Sequence, residues 1–361
     1  MRIRNVEAIT LKIPFGDLWA GPRRKPRGWT QFDTVLVRVT ADDGSIGWGE
    51  AFAYSCASSV RAMLTDTVAP LVAGQTVEDI PAFSLALQKE LHIWGRYGVT
   101  LFALSGLDIA LWDLAAKRSG RSLAAHLGGR HRDRIPAYAS LVRYGAPEPI
   151  RAVASHAVAE GYADVKLHEI AHENIAAGRE AVGSNIRLTT DVNCVWSVPE
   201  AEAILPRLKA LDLFWVEEPV FPPEGYETLQ QLGRFGVPLA AGENACTAVE
   251  FARLIPALTY PQPSVTKVGG ISEFLKVARL ARTAGKTLMP HSPYFGPGYW
   301  ATLQLAAHLD DIGLFEVLHV APEAFSGRNI PLPKDGWIRV PDAPGIGFEP
   351  DHAAIDRYRV A

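Results

Sequence analysis

Two hydrophobic rhythms divide the chain near residue 130. Before that point, residues 2–13 and 33–41 alternate apolar and polar positions, with Val35, Val37 and Val39 on one face. Asp42-Asp43-Gly44-Ser45 supplies a hairpin turn into a further strand over 46–53. Leu104, Leu107, Leu111 and Leu114 then recur at helical spacing, with Asp108 and Asp113 off that stripe. Strands followed by helices predict an α+β domain.

From about Ile135 the pattern becomes a repeat. Short apolar segments start near Ile135, Ala163, Ile186, Leu213, Val237, Ser264, Thr287 and Leu314, and helix-like stretches such as 150–160, 198–211 and 271–284 fill the gaps. Eight strand-plus-helix units at a spacing of roughly 20–30 residues predict a closed parallel barrel. An open doubly wound sheet is the alternative, but no Gly-x-Gly-x-x-Gly follows the first strand of the series. The tail from about 320 carries turns at Asp335-Gly336 and Pro344-Gly345-Ile346-Gly347 and is expected to pack back on the first domain.

Composition narrows the functional classes. The 361 residues are 48% hydrophobic, and 36 basic against 39 acidic side chains leave a net charge of −3, so there is no basic field to attract nucleic acid. The longest stretch without Asp, Glu, Lys or Arg, Thr287 to Leu309, is interrupted by Pro290, Pro293 and Pro297 and reads as no membrane span. Met1 to Asn5 lacks the apolar run of a signal peptide. Cys56, Cys194 and Cys246 are odd in number and widely spaced, which suits a reducing, cytoplasmic setting.

In a barrel the strand ends share one mouth. Those ends carry Lys166 and His168, Asp191 and Asn193, Glu217 and Glu218, Glu243, Ser264 and Lys267, His291, and Glu316. Asp191, Glu217 and Glu243 recur at a constant interval of 26 residues, each after a strand-like apolar run. Three carboxylates converging on one spot repel unless a cation lies between them. All-oxygen ligation favours a hard ion, Mg²⁺ before Mn²⁺. Alternation through Val165-Lys166-Leu167-His168 places Lys166 and His168 on the inner face, and His291 ends the seventh strand across the barrel. Proton carriers flanking a metal suit removal of the proton α to a carboxylate.

These residues give the chain a resemblance to the enolase superfamily, in its mandelate racemase/muconate lactonizing enzyme branch. The resemblance implies an α+β capping domain (1–125), a modified TIM barrel of the (β/α)7β type (126–320) and a C-terminal segment returning to the cap (321–361). It implies Asp191, Glu217 and Glu243 as metal ligands and Lys166 as the first lysine of a Lys-x-Lys pair, next to the substrate carboxylate. His291 matches the seventh-strand histidine of racemase-type members, and Glu316 the eighth-strand glutamate that hydrogen-bonds the enediolate. Lys267 matches a lysine common after the sixth strand, expected to support the site from behind. The family also implies a small carboxylate substrate and a homo-oligomer.

Two positions depart from that pattern. The second lysine of the pair is His168, and the sixth-strand position that carries an orienting Asp or a catalytic Lys is Ser264. A histidine without its acidic partner is a weaker base when neutral and a better donor when charged. This fits dehydration of a hydroxy or sugar acid, with His168 or Lys166 as base and His291 as acid. Racemisation, epimerisation or cycloisomerisation is the alternative within the family.

His168-Glu169-Ile170-Ala171-His172 also matches the His-Glu-x-x-His signature of zinc proteases. That motif needs a helix, whereas strand alternation runs directly into His168. A non-catalytic scaffold is the third alternative. The segment Trp19–Trp29 holds Arg23, Arg24, Lys25 and Arg27 among Gly and Pro. By resemblance, this loop and a second one that includes Tyr54 close over the barrel, where guanidinium groups suit an anionic substrate. Asn193 is expected to touch the substrate or the metal's water, or to form a turn. Glu218 should point away from Glu217, into a salt bridge.

Overall fold

The computed structural model describes residues 1–16, 18, 19 and 29–360. The first domain is an antiparallel meander of β1 (Ile3–Gly16), β2 (Gln31–Ala41) and β3 (Ile46–Phe52). The β2–β3 turn is held by Asp43, whose carboxylate accepts from the backbone N–H and the hydroxyl of Ser45. Against this sheet lies the helix Gly98–Arg118. Helix and sheet approach so closely that a Cβ on Gly49 would stand 2.0 Å from the Gly106 carbonyl oxygen. This is the one helix among the described residues long and apolar enough to cross a membrane, and it is mostly buried within the protein.

The leucine stripe therefore understates how deep the helix lies. Asp108 and Asp113, off the stripe, are 1% and 0% exposed. Asp113 accepts from Trp48 N at 2.8 Å, Ile346 N at 2.9 Å and Lys117 Nζ at 2.6 Å. Asp108 accepts from Ser272 N, on a helix of the second domain. Each buried carboxylate thus fastens segments far apart in sequence, since an ion with no partner would not tolerate the interior.

The second domain is a parallel barrel. Its ladder runs β10 (Phe315–Leu318), β4 (Arg134–Ser140), β5 (Asp164–Leu167), β6 (Arg187–Asp191), β7 (Leu213–Glu217), β8 (Leu239–Ala241) and β9 (Tyr260–Pro261). Two expected strands differ. The sixth is Tyr260–Pro261, so Ser264 stands in the turn beyond it, and the seventh is reduced to a Leu288–Ile312 bridge. Met289 N donating to Pro261 O at 3.0 Å and Leu288 N to Asp311 O at 2.9 Å carry the sheet across this gap. Pro261 and Pro263 explain the short sixth strand, because proline cannot donate to a ladder.

Val165, Leu167, Leu188 and Val216 point outward into a core shared with the surrounding helices. Inside the barrel, Tyr138, Trp215, Ala240, Met289 and Leu314 form an apolar plug. The C-terminal segment returns to the first domain through β11 (Ala321–Pro322) and β13 (Arg359–Val360), both antiparallel to β1. Between them, β12 (Trp337–Arg339) pairs with β4. Cys56, Cys194 and Cys246 are unpaired.

Candidate active site

Strand alternation puts Lys166 inside the barrel, where its side chain is 1% exposed and its ammonium stands 6.0 Å from the centre of the Tyr138 ring. It faces Glu217 Oε1 at 2.8 Å, Glu316 Oε1 at 2.9 Å and Asp191 Oδ2 at 3.4 Å. Asp191 and Glu217 are ladder partners on adjacent strands, so their convergence follows from sheet register. Each acid is also fixed on its other side. Asn193 N donates to Asp191, Trp215 Nε1 and Gln262 Nε2 to Glu217, and Ser140 Oγ and Ser292 N to Glu316.

Burial opposes ionisation throughout the cluster, and the neighbours decide each outcome. The Lys166 ammonium and the His168 imidazole hold Asp191 well below the usual carboxylate range. Glu316 is also held low, by Lys166 and His291. Burial, with Asp191 and Glu316 beside it, pushes Glu217 up despite Lys166. Glu243, in the turn after β8, is held at about 2 by His291 and Lys267. Asp191, Glu217 and Glu316 thus share one buried ammonium, Lys166, and Glu243 stands beside His291 and Lys267. Such an excess of buried negative charge is the chemistry of a divalent-cation site. Asp191, Glu217 and Glu243, from successive strands, could hold one.

Two histidines border these acids, each held through a different nitrogen. His168 Nδ1 meets the Leu141 carbonyl oxygen at 2.5 Å, and Nε2 lies 3.4 Å from Asp191 Oδ2. A carbonyl can only accept, so Nδ1 carries a proton, and Nε2 is the nitrogen turned toward the acids. His291 Nε2 lies 2.7 Å from Glu243 Oε2, so there Nε2 is the protonated atom. Its Nδ1 is buried without a hydrogen-bond partner among the described residues. Ser264 faces Thr266 Oγ1 and Tyr294 OH.

His168, Asn193, Glu243, Lys267, His291 and Glu316 line a cavity of about 260 Å³, with Tyr54 on the capping-domain side. Lys267 is less remote than expected: it lines the cavity, its ammonium 4.6 Å from the Phe52 ring centre. Asn193 takes left-handed backbone geometry (φ 48°) and accepts from Arg143, so it forms a turn and also borders the cavity. Glu218 makes no salt bridge among the described residues. It accepts from Gly242 N and Cys194 Sγ, and burial together with Glu243 raises it to about 7. Arg23 and Arg24 lie outside the described residues.

The protease signature is not on one helix. His168 follows β5, residues 168–170 are not helical, and His172 begins the helix His172–Val182. Glu169 is not a plain loop residue but a buried one, accepting from Tyr144 N, Gly145 N and Asn174 Nδ2. Sequence reasoning also missed Glu50, Thr266 and Tyr294 in the cavity wall, and Trp215 and Gln262 behind Glu217. Trp215 was findable, because it stands two residues before Glu217 and so shares its face. A separate group, His156, Glu160 and His319, brings its ligand atoms within 4.8 Å of one another on the outer side of the barrel.

Residues 150–354 match the enolase C-terminal domain-like family, and residues 27–128 match the mandelate racemase/muconate lactonizing enzyme N-terminal domain. Among curated proteins, the chain is 31% identical to D-galactarolactone cycloisomerase of Agrobacterium fabrum over 90% of this chain and 91% of that protein. It is 27% identical to arabinonate dehydratase of Saccharolobus solfataricus over 91% of each. A magnesium-complexed mandelate racemase/muconate lactonizing protein from Paracoccus denitrificans superposes with a TM-score of 0.87 at 27% identity, over 99% of this chain and 98% of that one.

Proposed function

The chain belongs to the mandelate racemase/muconate lactonizing enzyme family of the enolase superfamily, and from that premise we propose that it removes the α-proton of a hydroxy or sugar acid and expels the β-hydroxyl as water. The observation that carries this reading is the opposition of the two imidazoles. His168, its Nδ1–H committed to Leu141 O, takes the α-proton at Nε2 from its neutral form, while His291 Nε2, against Glu243, has a proton to give to the departing oxygen. The enol so formed rearranges to a 2-keto-3-deoxy acid.

Asp191, Glu217 and Glu243 are the residues that would hold Mg²⁺, which when bound draws charge from the substrate carboxylate and makes the α-proton easier to remove. Lys166, fixed by three acids, keeps its charge: burial disfavours the ammonium, but Glu217 and Glu316 raise its pKa well above the ordinary lysine value. It adds a fixed positive charge where negative charge develops. Leu141 O locks the tautomer of His168, and Arg143, donating to the His168 carbonyl and to Asn193, stiffens the same loop. Ser140 and Ser292 orient Glu316 toward Lys166. A relative named arabinonate dehydratase supports this chemistry.

A second reading, return of the proton to the same carbon by epimerisation, draws on the position of both imidazoles in one cavity wall. Proton NMR in D₂O with Mg²⁺ and a panel of hydroxy and sugar acids separates the two. Dehydration gives 2-keto-3-deoxy products that vanish in His291→Asn, whereas normal dehydration by that variant removes the role assigned to His291.

A further inference from the structure

A cluster outside the active-site cavity takes no part in the proposed reaction. His156 and Glu160 stand four residues apart at the end of the helix Pro147–Ala159, so their side chains leave from one face. His319 reaches them from the other end of the barrel sequence, directly after β10, with its backbone N–H donating to Ser140 O at 2.7 Å. Its Nε2 lies 2.8 Å from Glu160 Oε2, and His156 Nε2 lies 3.3 Å from Glu160 Oε1. One carboxylate thus has an imidazole at each oxygen, and the two rings stand 5.8 Å apart. His319 is the buried member, its side chain 6% exposed and set edge-on against Tyr162, whereas His156 and Glu160 open to solvent. A cavity of about 450 Å³ lined by Glu160, Tyr162 and His319 adjoins the group, and Lys334 and Asp335 bring to it one charge of each sign.

We propose that His156, Glu160 and His319 form a second metal site, separate from the acidic cluster, that takes Zn²⁺. Two imidazoles and a carboxylate make a mixed nitrogen and oxygen set, which suits Zn²⁺, whereas Mg²⁺ prefers oxygen alone. Burial lowers the pKa of His319, and His156 beside it opposes a second positive charge, although Glu160 pulls the other way. The ring is therefore neutral at pH 7 and has a lone pair for an ion. Zinc bond lengths put neighbouring ligand atoms of a tetrahedral ion roughly 3.3 Å apart. His156 and Glu160 already stand at that spacing, and His319 has only to draw back by about half an ångström. The exposed edge and the adjoining cavity leave the fourth position to water, as in other three-ligand zinc sites. The ion joins residues 159 apart in sequence and fastens the first barrel helix to the segment that enters β11 on the capping sheet. A clip across so long a loop removes freedom from the unfolded chain.

Calorimetry with ZnCl₂ tests this on the untagged full chain, stripped with chelator and returned to saturating Mg²⁺ so that the acidic cluster is filled. One equivalent of Zn²⁺ should bind, and Co²⁺ in its place should give the visible absorption of a four-coordinate ion. His156→Gln and Glu160→Gln, both at exposed positions that do not threaten the fold, should each weaken Zn²⁺ binding by about 100-fold or more. Asp191→Asn should bind Zn²⁺ here as the parent does. Zn²⁺ should also raise Tm in the parent and in Asp191→Asn but not in the two exposed variants, because an ion that binds only the folded chain stabilises it. No Zn²⁺ binding by the parent, parent-like binding in His156→Gln and Glu160→Gln, or equal Tm responses in parent and exposed variants overturns the proposal. Binding lost in Asp191→Asn but kept in His156→Gln overturns it as well, by placing the ion in the acidic cluster.

Discussion

His168 and His291 are the same residue type in the wall of the same cavity, yet they differ in what stands behind them. His168 rests on a backbone carbonyl that no side-chain change removes, and its Nε2 faces the acids. His291 leans forward on Glu243, and among the described residues nothing partners its rear nitrogen. Each ring's proton is thus placed by the oxygen it faces, Leu141 O for His168 and Glu243 for His291. In the proposed reaction the first side receives a proton and the second gives one.

The comparison breaks most completely at His168. His168→Ala should lower α-proton exchange by ~10³-fold, within the usual range for loss of a general base, as read by loss of the α-proton signal in D₂O. His291→Asn should lower elimination by ~10²-fold while exchange at the α-carbon survives. Ser264→Asp should make the two sides alike, giving His291 a rear acceptor. The expected result is about a ten-fold shift of product from elimination toward exchange and epimerisation.

The smallest effect concerns stability. Glu50, fully buried between cap and barrel, accepts from Gly298 N at 2.9 Å, and burial raises it from 4.5 to about 7. A carboxyl whose folded pKa lies above its unfolded value stabilises the fold below the unfolded pKa and loses that contribution as pH rises through the folded one. The shift corresponds to roughly 3 kcal/mol at most. Glu50→Gln, which cannot ionise, should therefore gain in Tm relative to the parent between about pH 5 and pH 8. An unchanged difference would show that Glu50 is ordinary. A Cβ at Gly298 would stand 3.0 Å from the same carboxylate, so Gly298→Ala should destabilise at either pH.

The acidic cluster was legible because strand-and-helix units of similar length carry Asp191, Glu217 and Glu243 to the same end of neighbouring strands. The antiparallel cap was legible from two-residue alternation and one turn. What the sequence concealed depends on distant partners. Asp113 reaches Trp48 and Ile346, and Glu50 reaches Gly298, across separations no local window covers. The burial of Glu169 was hidden because two of its donors, Tyr144 N and Gly145 N, come from the preceding unit. The sixth strand was set too late because Ser264, Val265 and Thr266 read as extended, whereas hydrogen bonds from Lys267 N and Val268 N to Ser264 O fold them into turns.

The most direct test of the opposed imidazoles is their tautomeric state, read from ¹⁵N-histidine NMR correlations with His168→Gln and His291→Gln as assignment controls. With and without Mg²⁺, the account predicts a bare Nε2 on His168 and a protonated Nε2 on His291. A protonated Nε2 on His168 beside a bare one on His291 would contradict it.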